Sequence, residues 1–151
     1  MIDINLAPGI KNPVPTKKMK HALGLFLRVL EHTNQHLSVY LTHDKEMAEL
    51  NQQYRQKNKP TDILSWSYWE DSPESGEFGE LAVSMDRVRE QAVENGWDEK
   101  TELFRLLAHG CAHLAGYDHE ISETEEKRML LVEQQMLVKI ELGHLYGELG
   151  E

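Results

Sequence analysis

The sequence predicts one α/β or α+β domain, in which a mixed sheet of about four strands is covered by about five helices. Apolar residues alternate with polar ones in several short segments and recur every three or four residues in longer ones. No repeat or linker divides residues 1–151, and a chain of 151 residues is long enough to bury a core. We therefore expect a single domain that spans the whole chain.

The strands are predicted by alternation. Ile2, Ile4 and Leu6 alternate with polar residues, as in a strand with one buried face, and three later segments are also expected to be strands. These later segments are residues 37–41, 61–66 and 81–85. Residues 70–79 are acidic and contain Ser, Pro and Gly without periodicity, so we expect an exposed loop there.

The helices are predicted by apolar periodicity together with residues that begin or end helices. Thr16, Asp44, Asp98 and Ser122 are the expected N-terminal caps, and Gly116 is placed to end the fourth helix. The predicted helical segments are residues 16–34, 44–59, 88–95, 98–116 and 122–140.

Charge and composition limit the classes of function. The chain has 26 acidic and 16 basic residues, and its formal charge of −10 repels nucleic acid on average. It contains no apolar run long enough for a membrane span, and its first residues do not resemble a signal peptide. Cys111 is the only cysteine, so it cannot form an internal disulfide, and we expect it to be a small core residue. These features predict a cytoplasmic protein that does not bind membranes.

Three histidines between residues 109 and 119 predict a metal site. Four positions separate His109 from His113, so a helix places both imidazoles on one face, one turn apart. Gly116 lets the chain leave the helix, and a turn can bring His119 to the same point. Three neutral nitrogens around one Zn²⁺ leave a fourth position for water, and the metal can convert that water to hydroxide near neutral pH. The spacing therefore predicts one catalytic zinc ion bound by these three histidines.

The same histidine spacing occurs in zinc peptidases, whose H-E-x-x-H pattern puts a general-base glutamate directly after the first histidine. Gly110 stands at that position here, which argues against proteolysis without excluding it. Glu102 and Glu120 flank the histidines, and we expect both to be solvated or capping charges.

A second candidate site is the segment from Asn51 to Asp62, which carries three cations on an otherwise acidic chain. In one interpretation Arg55, Lys57 and Lys59 are solvated charges that favour the negative end of a helix dipole. In the other, Arg55 grips a phosphate, because its planar fork of donors matches phosphate oxygens. The two lysines would then contribute to a local path for an anion such as RNA.

Together the two segments resemble the YbeY endoribonuclease family, whose members are also described as rRNA maturation factors. The family signature H-G-x-x-H-L-x-G-Y-D-H is matched from His109 to His119. A second signature, Asn-x-x-Tyr-Arg followed by a basic turn and Pro-Thr-Asp, resembles the stretch from Asn51 to Trp66. The order and separation of the motifs agree over about residues 36–143.

The resemblance implies a single αβα domain with one Zn²⁺ and the hydrolysis of single-stranded RNA in ribosomal RNA maturation. It points to the 3′ end of the small-subunit RNA, to ribosomal subunits as partners and to ribosome quality control. Arg55 corresponds to the functional arginine of the family and is expected to hold the scissile phosphate, with Lys57 and Lys59 as further RNA contacts. Asp118 would either orient a ligand histidine or stabilise its own turn.

Two other classes of function stay open. One is a zinc peptidase or another small metallohydrolase. The other is a non-catalytic ribosome-assembly protein with a structural metal, for which a fourth ligand would have to lie outside the histidine motif.

Overall fold

Four strands form one mixed sheet in the computed structural model, which describes residues 1–55, 61–118 and 120–147, with only the backbone of Arg55 included. The strands are β1 (Ile2–Leu6), β2 (His36–Thr42), β3 (Ile63–Ser67) and β4 (Glu77–Ser84). Their order in the sheet is β1-β2-β4-β3. β1, β2 and β4 are parallel, whereas β3 is antiparallel to β4 and forms one edge of the sheet.

Five α-helices accompany the sheet in the described ranges. They are α1 (Thr16–Val29), α2 (Asp44–Arg55), α3 (Met85–Asn95), α4 (Glu99–Leu114) and α5 (Glu123–Val138), with short 3-10 helices at Pro73–Ser75 and Gly143–Tyr146. None of the helices in these ranges has both the length and the apolar character that crossing a bilayer requires.

Two of the predicted N-terminal caps are confirmed. The side chain of Asp98 accepts a 2.8 Å hydrogen bond from the backbone N–H of Thr101, at the start of α4. At the start of α5 the hydroxyl of Ser122 accepts from the N–H of Glu125, at 3.1 Å. Each bond satisfies a backbone donor that the first turn of a helix leaves without a partner, so local sequence determines where both helices begin.

Other predicted boundaries are wrong. Thr16 is already helical, and Pro15 occupies the cap position of α1 without a side-chain cap. β4 begins at Glu77, inside the predicted loop, because residues 77–84 pair with β2. The strand leads directly into α3, because the Ser84 hydroxyl accepts from the N–H of Arg87 at 3.3 Å and caps that helix, so Met85 belongs to the helix.

Helices cover both faces of the sheet, as alternation in β4 shows. Leu81 and Val83 point into the main core, which they share with residues of α1, α3, α4 and α5. Ala82 lies between them and points to the other face, where it packs with Met47 of α2 and Leu64 of β3. Burying one large aliphatic side chain in such a core contributes roughly 1.5–3 kcal/mol. The predicted αβα architecture is therefore confirmed.

Candidate metal centre

α4 brings His109 and His113 to one side of a cleft at the edge of the sheet. Both histidines line this cleft, which has a volume of about 440 Å³. The opposite wall includes the edge strand β3. The other lining residues are Thr61, Asp62, Ile63, Leu64, Ser65, Gly110, Asp118 and Glu120. The helical arrangement predicted for the two histidines is present.

His109 is held by a buried carboxylate of α5. Its ring nitrogen Nδ1 lies 3.0 Å from Oε2 of Glu133, whose side chain is only 2% exposed. Burial lowers the pKa of His109, but the hydrogen bond and the negative charge of Glu133 outweigh it, so the pKa lies above its usual value. A carboxylate accepts hydrogen bonds, so Nδ1 donates and Nε2 carries the lone pair of the neutral ring.

His113 has the same tautomer for a different reason. Its Nδ1 lies 3.1 Å from the backbone carbonyl oxygen of Tyr117. Because a carbonyl can only accept, Nδ1 must donate, and Nε2 carries the lone pair of the neutral ring. Both helical histidines therefore hydrogen-bond the protein through Nδ1, which is the usual arrangement of metal-ligating histidines.

Of the three predicted metal ligands, the structure brings two together. His119 lies outside the described residues, and no group of three histidine, cysteine or carboxylate side chains in the described part of the chain is placed to hold a metal. The donor set nevertheless fits Zn²⁺, because two neutral imidazoles with Nδ1 anchored can both bind a metal through Nε2. His119 as the third ligand stays a prediction.

The turn after α4 leads the chain from His113 towards residue 119. α4 ends at Leu114, and Gly116 adopts φ +109°, a conformation that side chains rarely permit. Two residues later, Oδ1 of Asp118 accepts a 2.9 Å hydrogen bond from the N–H of Glu120. Asp118 thus stabilises its own turn, and the proposal that it orients a ligand histidine stays a prediction.

Close packing explains why residue 110 is a glycine. A Cβ atom at Gly110 would lie 2.7 Å from Cδ1 of Ile63 and 2.8 Å from Cδ2 of Leu81. Leu81 is 1% exposed, so it has little room to move. A glutamate at this position would require the Ile63 and Leu81 side chains to shift, so the approach of α4 to β3 and β4 disfavours the H-E-x-x-H arrangement.

Cys111, which lies between the two histidines in sequence, belongs to the core. Its side chain is fully buried, and burial raises its pKa to about 12. A thiol in this state is neither a nucleophile nor a metal ligand at neutral pH. The expectation that Cys111 is a core residue is confirmed.

The three cations of the predicted phosphate-binding segment lie outside the described residues. They are the side chain of Arg55, and Lys57 and Lys59. Thr61 and Asp62, at the end of the segment, both line the cleft. Asp62 is fixed there, because Oδ1 accepts from the N–H of Ile63 at 2.7 Å.

Sequence analysis did not predict two buried carboxylates, which lie on α4 and α5. Glu133 was not predicted to have a role, and Glu102 was expected to be solvated or capping although it is fully buried. Glu102 accepts hydrogen bonds from Arg105 at 2.6 and 3.0 Å and from the indole of Trp97 at 2.9 Å. A signal for Glu133 existed, since it lies on the apolar face of α5, four residues after Met129. A carboxylate on such a face needs partners in the core.

Comparison with known proteins shows which protein family this chain resembles. The family model for Endoribonuclease YbeY matches residues 10–141. The Endoribonuclease YbeY of Aquifex aeolicus is 40% identical over 130 residues, which cover 86% of this chain and 87% of that protein. The protein of the same name from Halalkalibacterium halodurans is 36% identical over 147 residues, 91% of each chain.

A solved structure agrees with the fold. The solution structure of a Thermotoga maritima protein superposes with a TM-score of 0.62 at 25% sequence identity, covering 98% of this chain and 97% of the other. The match of the family model to most of the chain and the similarity to full-length relatives lead to one conclusion: this chain belongs to the Endoribonuclease YbeY family.

Proposed function

We propose that this chain is a zinc-dependent endoribonuclease that cleaves single-stranded RNA in the cleft between α4 and β3. The observation that carries the proposal is that both helical histidines contact the protein through Nδ1, His109 at Glu133 and His113 at the carbonyl of Tyr117. Two imidazoles held in this way on one helix face are suited to a metal ion. The names of the relatives, which are endoribonucleases, supply the reaction class.

His109, His113 and His119 would hold one Zn²⁺. When bound, the ion would supply Lewis-acid stabilisation of the charge that develops on a phosphodiester, and it would acidify water. The protein's part is to fix the tautomer and the orientation of the two described imidazoles, through acceptors at both Nδ1 atoms.

The negative charge of the cleft supports a role for the cations of the predicted phosphate-binding segment. Among the described lining residues are three carboxylates, Asp62, Asp118 and Glu120, which repel RNA phosphates. The metal would offset part of this charge, and Arg55, Lys57 and Lys59 would supply cations. We propose that the fork of Arg55 holds the scissile phosphate and that the two lysines contact neighbouring phosphates.

The cellular substrate is proposed from the family resemblance. Ribosomal RNA is the substrate, with cleavage at the 3′ end of the small-subunit RNA and a role in ribosome quality control. The partners are then ribosomal subunits, and the site of action is the cytoplasm. An acidic protein that approaches RNA against its own net charge of −10 benefits from a partner that brings it to the substrate.

The first experiment compares RNA cleavage by matched variants. A labelled single-stranded RNA is incubated with the zinc-loaded protein and with His113→Ala and Arg55→Ala, purified identically. His113→Ala should lose both zinc and cleavage. Arg55→Ala should retain zinc and lose cleavage by about 10²-fold or more, the order of effect expected when a group that stabilises developing charge is removed.

Two exposed residues of α1 provide controls. His21→Ala and Arg28→Ala remove the same side-chain types at positions that do not line the described cleft, and both variants should cleave like the parent. If the parent and His113→Ala cleave equally although only the parent binds zinc, the proposal that this chain is a metal-dependent nuclease is wrong. A non-catalytic assembly protein would then be favoured. Cleavage of a peptide library would instead favour the metallohydrolase alternative.

A further inference from the structure

A buried carboxylate outside the predicted site connects α5 to the candidate metal centre. Glu133 is 1% exposed, and its two oxygens have different partners. Oε2 lies 3.0 Å from Nδ1 of His109, and Oε1 accepts a hydrogen bond from the hydroxyl of Tyr146. Burying an ionised carboxylate is costly unless its oxygens are hydrogen-bonded, so the two contacts are what stabilise the charge at this position.

Tyr146 fixes the second oxygen of Glu133. It belongs to the 3-10 helix Gly143–Tyr146, which follows α5 and packs against it. Burial and the negative charge of Glu133 raise the pKa of Tyr146 far above its usual value, so the hydroxyl stays protonated and donates. The Glu133 carboxylate is thereby oriented from both sides, by a tyrosine on one oxygen and a histidine on the other.

Neighbouring residues surround a space of about 180 Å³ beside this arrangement. Arg105, His109, Met129, Leu130 and Tyr146 line the same small space as Glu133. The Arg105 guanidinium lies beside it but makes its two short bonds to Glu102, at 2.6 and 3.0 Å. The hydrogen bonds described for Glu133 are those to His109 and Tyr146.

We propose that Glu133 is a positioning residue for His109 and that Tyr146 holds Glu133 in place. The inference rests on the zinc site of the proposed function. Glu133 fixes the His109 ring with its Nδ1–H turned towards α5. Nε2 is then the nitrogen that can bind a metal, and the negative charge of Glu133 makes Nε2 a more basic ligand. The C-terminal turn after α5 is thus part of the metal centre although it contributes no ligand.

Zinc affinity provides the first test, with Zn²⁺ alone as the probe. Metal-free full-length protein competes for Zn²⁺ with a chromophoric chelator, in the parent and in Glu133→Ala, Glu133→Gln and Tyr146→Phe. Loss of the carboxylate should weaken zinc binding about 10- to 100-fold in Glu133→Ala. Glu133→Gln keeps the shape and one acceptor, so it should recover part of this loss. Tyr146→Phe should weaken binding by less than Glu133→Ala.

Glu126→Gln is the matched control. Glu126 lies on the same helix and lines the same space, but it is exposed, so this variant should bind zinc within about twofold of the parent. Circular dichroism of the metal-free proteins identifies any variant that has lost its fold. If Glu133→Ala unfolds, Glu133→Gln and Tyr146→Phe decide the question.

The tautomer of His109 provides a readout that does not require metal. In ¹⁵N-labelled metal-free protein, the ring nitrogens of His109 should report a protonated Nδ1 in the parent and in Glu126→Gln. This preference should weaken in Glu133→Ala. Zinc affinity equal to the parent in all three test variants, or an unchanged His109 tautomer in Glu133→Ala, would overturn the positioning role.

The same measurements separate this inference from the proposed function. If His113→Ala binds zinc as tightly as the parent, the zinc site itself is wrong. If His113→Ala loses zinc while the Glu133 and Tyr146 variants retain it, only the positioning role is wrong. If the parent binds no zinc, the proposed function fails, and the His109 tautomer still decides whether Glu133 orients the ring.

Discussion

The indole Nε1 of Trp69 donates a 2.7 Å hydrogen bond to the carbonyl oxygen of Leu114, the last residue of α4. The hydroxyl of Ser67 donates to the same oxygen at 3.2 Å. The final carbonyls of a helix have no partner within the helix, so these two donors satisfy one of them. They also attach the end of α4, one residue after His113, to the segment at the end of β3.

Removing the indole donor should therefore loosen the end of α4. Trp69→Phe keeps an aromatic ring but lacks the N–H, and we expect the free energy of unfolding to fall by about 1 kcal/mol. Ser67→Ala removes the longer bond and should have a smaller effect. Urea denaturation of both variants measures the difference, and a Trp69→Phe midpoint equal to that of the parent would show that the bond contributes nothing.

Two helical glycines offer a test of the packing of α4 on the sheet. Gly110→Ala forces a Cβ against Ile63 and Leu81, and overpacking of this kind costs roughly 1–3 kcal/mol. Gly24 lies within α1, and a Cβ there meets nothing within 4 Å. Because alanine favours helices over glycine by about 1 kcal/mol, Gly24→Ala should stabilise the protein.

The two alanine variants should thus shift thermal unfolding in opposite directions. The measurement is the melting temperature of each variant beside the parent. If Gly110→Ala is as stable as the parent, then the sheet can move away from α4. The steric argument against a glutamate at position 110 would then be wrong.

Glu102 should contribute more to the free energy of unfolding than an acidic residue in the first turn of a helix usually does. It is fully buried and accepts from Arg105 and Trp97, so Glu102→Gln weakens a charged pair and disturbs its other bonds. We expect a loss of about 1.5–3 kcal/mol, the range for hydrogen bonds to charged groups. Glu99→Gln, also in the first turn of α4, should cost less than 1 kcal/mol in the same denaturation experiment.

Local chemistry made much of the fold predictable. Asp98 and Ser122 bond backbone groups three residues away, so both caps could be identified from neighbouring residues. The start of β4 could not, because residues 77–79 are held in the sheet by pairing with β2, some forty residues earlier in the chain. A pattern that is polar and rich in glycine does not reveal a strand whose stability comes from its neighbour.

The part of the candidate site that lies on a single helix could be predicted from the sequence. His109 and His113 share a face because of their spacing alone, whereas their acceptors come from elsewhere. The acceptor for His109 is Glu133, 24 residues away on another helix. That contact depends on how α5 packs against α4, and only the charge of Glu133 on an apolar face hints at it. Arg55 in phosphate binding stays a prediction from the family resemblance.

The pH dependence of stability should report a histidine that joins three strands. His36 of β2 bonds Asp3 of β1 at 2.7 Å and Glu77 of β4 at 2.9 Å. Burial lowers the pKa of His36, but the bonds to both carboxylates outweigh it, so the pKa is raised above 6.5 in the folded protein. The stabilisation is therefore fully present below about pH 6.5, the unfolded value, and is lost as pH rises through the folded pKa.

A difference measurement isolates His36 from the other histidines. The free energy of unfolding of the parent minus that of His36→Gln should be larger at pH 5.5 than at pH 8.5, because the folded state binds the His36 proton more tightly than the unfolded state does. The exposed His21→Gln should give a difference that changes little with pH. A His36→Gln difference that is constant over this range would mean that the three-strand contact does not depend on the charge of His36.

Zinc should stabilise the folded chain, because the unfolded chain does not hold the histidines in one place. At a free Zn²⁺ concentration about 100 times the dissociation constant, the free energy of unfolding should rise by about 2.7 kcal/mol. Thermal unfolding with zinc and with a chelator measures this gain. His113→Ala should abolish it, whereas His21→Ala should retain it in full. An equal gain in the parent and in His113→Ala would place the bound zinc elsewhere on the protein, because His113 lies on the wall of the cleft that binds it in our proposal.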